Sequence, residues 1–140
     1  MAAAIGAAIA DGNVDRDGIG AVTFTAAGSP VYDRMQSRAV RAALGAAADA
    51  VPATTWEGTT GHALAATAVL GIVHAVQTVE EGEVLPIAGL APHPSVDPSC
   101  TLRYLVDAPE RILRRAVLAL TVGFGGQNGA TLVTSAEDRR

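Results

Sequence analysis

From 58 to 79 the chain reads GTTGHALAATAVLGIVHAVQTV, with no Asp, Glu, Lys or Arg. Thr59 or Thr60 can cap a helix at its start, because a hydroxyl oxygen accepts a bond from a free first-turn amide. Gly82, after Glu80 and Glu81, can take the left-handed conformation that ends one. The run predicts a single helix of about 20 residues and about 30 Å. Its apolar residues form no single stripe: Val69, Ile72 and Val76 fall on one side, while Leu70 and Val73 extend well round towards the other. A surface helix keeps a polar face, so a helix apolar nearly all round is covered nearly all round. Ala63, Ala65, Ala66, Ala68 and Gly71 add that the covering neighbours come close. The rest of the chain is constrained by what supplies that cover.

A membrane is one such cover, since long uncharged runs of this size are span candidates. It ranks low. The run holds His62, Thr67, His74, Gln77 and Thr78, its apolar residues are largely Ala, and no Lys or Arg cluster flanks it. A buried helix in a single domain of 140 residues is the better reading, spanning 1–136 with a solvated tail at 137–140. A chain that is 49% hydrophobic but only 4% aromatic builds its core from Ala, Val, Leu and Ile. A net charge of -4 lacks the basic footprint that nucleic acid requires. The start has no basic segment of the signal-peptide kind, and Cys100 is the single cysteine, so a reducing, cytoplasmic setting without an internal disulfide is expected. No Cys/His spacing fits zinc, and no metal or cofactor is expected. Lysine is absent, which excludes a Schiff-base or phosphate-loop lysine.

Taken in order, 1–10 is Ala-rich and reads as a helix, followed by the turn Asp11-Gly12-Asn13 and a polar loop at 15–18. Residues 19–24 read as a short strand and 25–30 as a loop of small residues. Asp33 can cap a helix over 34–44, with Met35, Ala39 and Ala43 on one side and Arg34, Arg38 and Arg41 on the other. A linker begins at Gly45. A strand at 51–55 contains Pro52, which places it at an edge or shortens it. After the central helix, four prolines at 86, 92, 94 and 98 preclude regular structure over most of 85–98. Residues 101–106 alternate as a strand. The continuous apolar run AVLALTV at 116–122 predicts a strand covered on both faces, and a tight Gly-rich turn at 123–129 leads to a returning strand at 130–134. This is an α/β unit with a mixed sheet. One such layer leaves a side of the central helix open, and a second α/β half packed over it would close it.

Three stretches resemble the C-terminal half of a β-ketoacyl synthase of the condensing-enzyme, thiolase-fold family. They are TAAGSPVYD at 25–33, TTGHALAA at 59–66 and GFGGQN at 123–128, with Leu85-Pro86 placed after the central helix as in the family. The resemblance covers nearly the whole chain; its first stretch is degraded. It implies half of a five-layer α-β-α-β-α arrangement, with the helix after the Gly-His pair in the middle layer and a partner chain completing the fold. The family's chemistry uses a cysteine nucleophile from the N-terminal half, two histidines, and a lysine that orients one of them. This chain begins after the position of that cysteine. It has Thr25 where the first histidine stands, and Glu57 where the lysine stands, five residues before His62. Thr25 cannot become a cationic donor and Glu57 reverses the charge. The lost first histidine, with Pro30, Asp33 and Arg34 kept, is similar to the chain-length factors of aromatic polyketide synthases. Those are non-catalytic ketosynthase relatives that pair with an active ketosynthase and shape its acyl tunnel. They usually do not keep so intact a Gly-His and Gly-Phe-Gly-Gly pair.

The resemblance implies a role for His62, whose neutral ring, favoured at a helix N-terminus, would donate to a thioester oxygen. A plain structural histidine is the competing reading. It also implies an acyl pocket lined by Phe124, as a gate, with Gly125, Gly126 and Asn128. Asn128 stands where a dinucleotide fingerprint would have its third glycine, so that motif is excluded. His74 reads as a hydrogen-bonded core residue and Cys100 as a plain thiol with no base beside it. Arg111, Arg114 and Arg115 read as a wet face, although they could meet an acidic acyl carrier protein. The expected partners are an N-terminal ketosynthase half or a whole ketosynthase subunit, and an acyl carrier protein, in a hetero-oligomer. Two further readings stay open: half of a split acyltransferase or thioesterase-like enzyme whose cysteine is on the partner, or a remnant with no activity.

Overall fold

The computed structural model describes residues 1–25, 28–90 and 97–136; the expected tail at 137–140 lies outside them. Its main sheet has five strands: β1 (Ala21–Thr23), β2 (Pro52–Thr54), β4 (Arg103–Tyr104), β6 (Ala116–Val122) and β7 (Asn128–Thr134). They lie in the order β4-β2-β1-β6-β7. All pair in parallel except β7, which returns antiparallel to β6 with Leu118 opposite Leu132. Two short strands that the sequence reading missed, β3 (Glu83–Val84) and β5 (Glu110–Arg111), make a separate antiparallel pair.

The run at β6 is covered on both faces, as its composition predicts. Ala116, Leu118 and Leu120 join one core with Ile5 and Ile9 of α1 (Ala2–Asp11) and Val40 and Leu44 of α2 (Pro30–Leu44). Val117 and Ala119 join another with Ala75 and Val79 of α4 (Thr67–Glu81). The result is a mixed sheet with helices on both faces. The two cores differ in texture. Leu and Ile dominate the first, while small residues at Ala21 and Ala119 let α4 approach closely enough for Ala75 to be 0% exposed. His74 on α4 reaches the sheet as well, its Nδ1 lying 3.1 Å from Thr23 Oγ1.

The expected 58–79 helix is not continuous. A short α3 (Glu57–Thr60) stops at Gly61, whose φ of 76° a residue with a side chain resists. A 3-10 turn at Leu64–Ala66 follows, and only then does α4 begin, without a side-chain cap from Thr59, Thr60 or any other residue. The backbone of Gly58 presses against the 85–90 loop: a Cβ there would sit 2.1 Å from the Ala88 carbonyl oxygen. That contact fixes the α3 turn apart from α4. The expected stop holds, with Gly82 left-handed at φ 65°, ψ 29°. Elsewhere, α2 starts at Pro30 rather than after Asp33, because the fixed φ of proline suits a first helical position. Strand β2 is internal and not an edge, and at 3 residues it is short, the other outcome expected of Pro52. Pro52 is its first residue, so the missing N–H leaves the ladder intact. The segment Gly45–Asp49 is a 3-10 helix rather than a linker.

The sheet covers only one side of α4. On the other side Val69 is 63% exposed, Val73 47%, Leu70 37% and Val76 36%. No helix of the described residues is long and apolar enough to cross a membrane.

Two measurements check this packing. Leu118 is fully buried and Leu113 is 99% exposed. Leu118→Ala should cost about 2–5 kcal/mol in urea unfolding, and Leu113→Ala about 0.5 kcal/mol or less. Burial lowers the pKa of His74 below its ordinary value. The unfolded chain then binds a proton there more readily than the folded one, so stability falls as pH drops through about 6.5. A His74→Gln variant should lose less stability than the native chain between neutral pH and that window.

Candidate functional site

Glu57 opens α3 and its side chain is 2% exposed; Oε1 lies 2.8 Å from Nδ1 of His62. The pairing corrects the expected setting of His62. It does not stand at a helix N-terminus but in the turn between Gly61 and the 3-10 segment, five residues before α4 begins. A carboxylate only accepts hydrogen bonds, so Nδ1 carries a proton and the tautomer is fixed. A neutral His62 then presents a bare lone pair at Nε2. It can donate from Nε2 to an oxyanion only when both nitrogens are protonated. In its neutral form the ring is therefore equipped as a base, with a buried carboxylate orienting it. The sequence reading missed this pairing. Its signal was the spacing of five with Gly58 and Gly61 between, which turns the chain back on itself.

His62 and Thr25 line one cavity of about 430 Å³, together with Thr67, Thr121, Val122 and Phe124. The Thr25 hydroxyl is engaged, since it donates to the Leu120 carbonyl at 2.8 Å. Thr25 is 6% exposed, and its own carbonyl accepts Gln36 Nε2 at 2.6 Å. It is a strut between β1 and β6 rather than a hydrogen-bond donor to anything bound. Phe124 is 84% exposed at the rim. The other three residues expected in the pocket are not among its lining. Gly125 and Gly126, with φ near 81° and 82°, shape the turn itself. Asn128 is the first residue of β7, and its Nδ2 donates back to the Gly126 carbonyl at 2.9 Å.

The remaining candidates lie elsewhere. His74 is the hydrogen-bonded core residue expected of it. Cys100 is buried, and desolvation pushes its thiol pKa up, away from a reactive thiolate. Arg111 and Arg115 lean on the carbonyls of Glu81 and Glu80 at the end of α4, each at 3.5 Å.

This arrangement matches known proteins along most of its length. The protein of Streptomyces coelicolor named for the actinorhodin polyketide beta-ketoacyl synthase 1 is 34% identical over 138 residues, covering 98% of this chain and 29% of that protein. The tetracenomycin polyketide synthase ketoacyl synthase alpha subunit of Streptomyces glaucescens is 27% identical over 140 residues, covering 100% of this chain and 32% of that subunit. The chain thus spans about a third of the length of these relatives. Among solved structures, a type II acyl carrier protein in complex with its ketosynthase bound to the hexaketide aligns with a TM-score of 0.88 at 24% identity, over 96% of this chain and 32% of that one. The ishigamide ketosynthase/chain length factor aligns with a TM-score of 0.81 at 20% identity, over 91% of this chain and 30% of that one. At such identities the structures speak for the fold alone, which is the C-terminal half of a thiolase-like unit. Residues 1–91 match the family described as beta-ketoacyl synthase, C-terminal domain, and the chain belongs to that family.

Proposed function

We propose that this chain is a ketosynthase-like subunit of polyketide or fatty-acid-type biosynthesis, of the chain-length-factor kind. It completes the fold and the acyl tunnel of a partner and does not itself carry out condensation. The observation behind this reading is the bare side of α4. Val69, Leu70, Val73 and Val76 still have about half their side-chain surface left to cover, which is worth on the order of 4 kcal/mol. A contiguous apolar strip of this kind on one helix face marks an interface. It runs up to the cavity that His62 shares with Leu64 and Phe124, so a partner seated on α4 would also close that cavity. The relatives named above include ketosynthase subunits and a ketosynthase with its acyl carrier protein, which makes those the partners of choice. Decarboxylative condensation is disfavoured on chemical grounds. Thr25 is locked to Leu120 and Glu57 is an acid, so the two positions offer no cationic support for a carbanion.

The Glu57–His62 pair favours one second reading: a split acyltransferase or thioesterase-like enzyme. There the partner supplies a cysteine, His62 Nε2 takes its proton, and Glu57 orients the ring, the roles of a nucleophile–base–carboxylate set.

Two experiments separate these readings. The chain expressed alone should self-associate, and it should co-purify with a ketosynthase half or subunit expressed beside it. A Val69→Glu, Val73→Glu double variant should lose both behaviours while keeping its circular dichroism; a monomeric native chain with a sharp thermal transition would count against the proposal. His62→Ala should leave product formation by the reconstituted complex unchanged under the first reading. Under the second it should lower the rate by about 100-fold or more.

A further inference from the structure

Strand β7 ends the main sheet, with β6 as its neighbour on one side only. Its 7 residues, Asn128–Thr134, hold no charge and no proline, and the ladder with β6 runs through all of them without a bulge. Proteins blunt a sheet edge with short strands, charges, prolines or bulges, because its free N–H and C=O groups pair with other strands. The opposite edge of this sheet is blunted: β4 has 2 residues, and one of them is Arg103, held by Glu110 and by the Ala50 carbonyl. The β7 edge carries none of these devices. The ends of the β6–β7 hairpin show which of its groups face outwards. Gly123 N–H donates to the Gln127 carbonyl, and Ser135 N–H to the Arg115 carbonyl. Bonded and non-bonded pairs alternate along an antiparallel ladder. Gly129, Thr131 and Val133 therefore exchange bonds with β6, while Asn128, Ala130 and Leu132 point theirs away from it. Among the described residues no backbone group takes those up.

We propose that the free edge of β7 pairs antiparallel with β7 of a second copy of this chain, joining the two sheets about a two-fold axis at Thr131. The strand is self-complementary in that arrangement. Thr131 is its midpoint, so the register that matches the strand along its whole length sets Thr131 against itself, Ala130 against Leu132 and Gly129 against Val133. Each large side chain meets a small one. Both members of the Ala130–Leu132 pair have their backbone groups turned outwards, as a bonded pair requires. The two threonines meet as a non-bonded pair, where side chains come closest and Thr–Thr contacts are favourable. An uncharged strand sets no like charges across the axis, so the same patch serves both copies. The faces of β7 do not stand in the way. Val133 packs on the α4 side, and Ala130 and Leu132 pack on the side of α1. The exposed residues of α1 are Ala3, Gly6, Ala7, Ala10 and Asp11, with no large apolar side chain among them to hold the second copy off.

The pairing is small beside the roughly 1,200 Å² of a lasting complex, so it is transient in the lone chain and is read covalently. The test uses the full chain with Cys100→Ser, Val69→Glu and Val73→Glu, which removes the native thiol and the exposed side of α4. Its outcome is thereby independent of the function proposed above. Thr131→Cys in this background sets two thiols on a non-bonded antiparallel pair with Cα atoms about 4.5 Å apart, within reach of a disulfide. Gly129→Cys is the control for random collision. It is equally exposed and a Cβ there meets nothing closer than 3.7 Å, yet in the proposed register the two copies of it stand about 13 Å apart. In a glutathione redox buffer Thr131→Cys should form the covalent dimer about ten-fold or more faster than Gly129→Cys. Adding Ala130→Pro removes an outward N–H that β6 does not use, a change an edge strand tolerates. It should bring the Thr131→Cys rate down to that of the control. Equal rates for the two cysteines overturn the proposal, as does a proline without effect in a chain that keeps its circular dichroism. The comparison of the two cysteines stands even where the proline variant fails to fold. Equal rates, with Thr131→Cys shielded from maleimide only in a co-purified complex, would give the edge to a strand of the partner instead.

Discussion

Helix α4 lies flat on the sheet because the sheet offers it almost no side chains to climb over. Ala21, Thr23, Val117 and Ala119 present a shallow surface, and Ala75 meets it with equally little bulk. Close approach of this sort gains dispersion contacts on one side of the helix only. The larger residues, Val69, Leu70, Val73 and Val76, are thereby turned away from the sheet, where none of the described residues covers them fully. One packing decision thus fixes both the interior of the domain and the character of its exposed side.

The same helix positions the chemistry. Because α4 begins only at Thr67, the ten residues 57–66 are free to form a turn instead of a rod. Gly58 lets that turn press on the Ala88 carbonyl, and Gly61 lets it reverse, which carries His62 back over Glu57. A carboxylate at this place does something a cation there could not: it accepts from the imidazole Nδ1, which in the neutral ring leaves Nε2 bare. In a neutral ring the side chain at 57 thereby sets which nitrogen is left open. Thr25 follows the same logic, since its hydroxyl closes a gap between two strands rather than facing a ligand.

Much of this was legible in the residues. The strand AVLALTV announces two-sided burial by its unbroken apolar run, and Gly82 announces the end of α4. The open side of α4 follows from an apolar helix set against a single α/β layer. Other features were hidden for physical reasons. The break at Gly61 depends on the tertiary contact of Gly58 with a loop some thirty residues later, which helical periodicity does not register. Strand β2 is internal although it carries a proline, because only the first position of a strand tolerates the missing N–H and Pro52 occupies it. The strands β3 and β5, two residues each, are too short to impose any pattern on the sequence. The pairing of Glu57 with His62 needed the turn geometry before it could be seen.

The exposed side of α4 is open to a direct chemical probe. In a Cys100→Ser background, a Val73→Cys chain held monomeric by dilution should react with a water-soluble maleimide at close to the rate of a free thiol. The same cysteine should be blocked once a ketosynthase partner is bound. A cysteine at that position that is already unreactive in the lone monomer, or that reacts equally fast in the complex, would contradict the account.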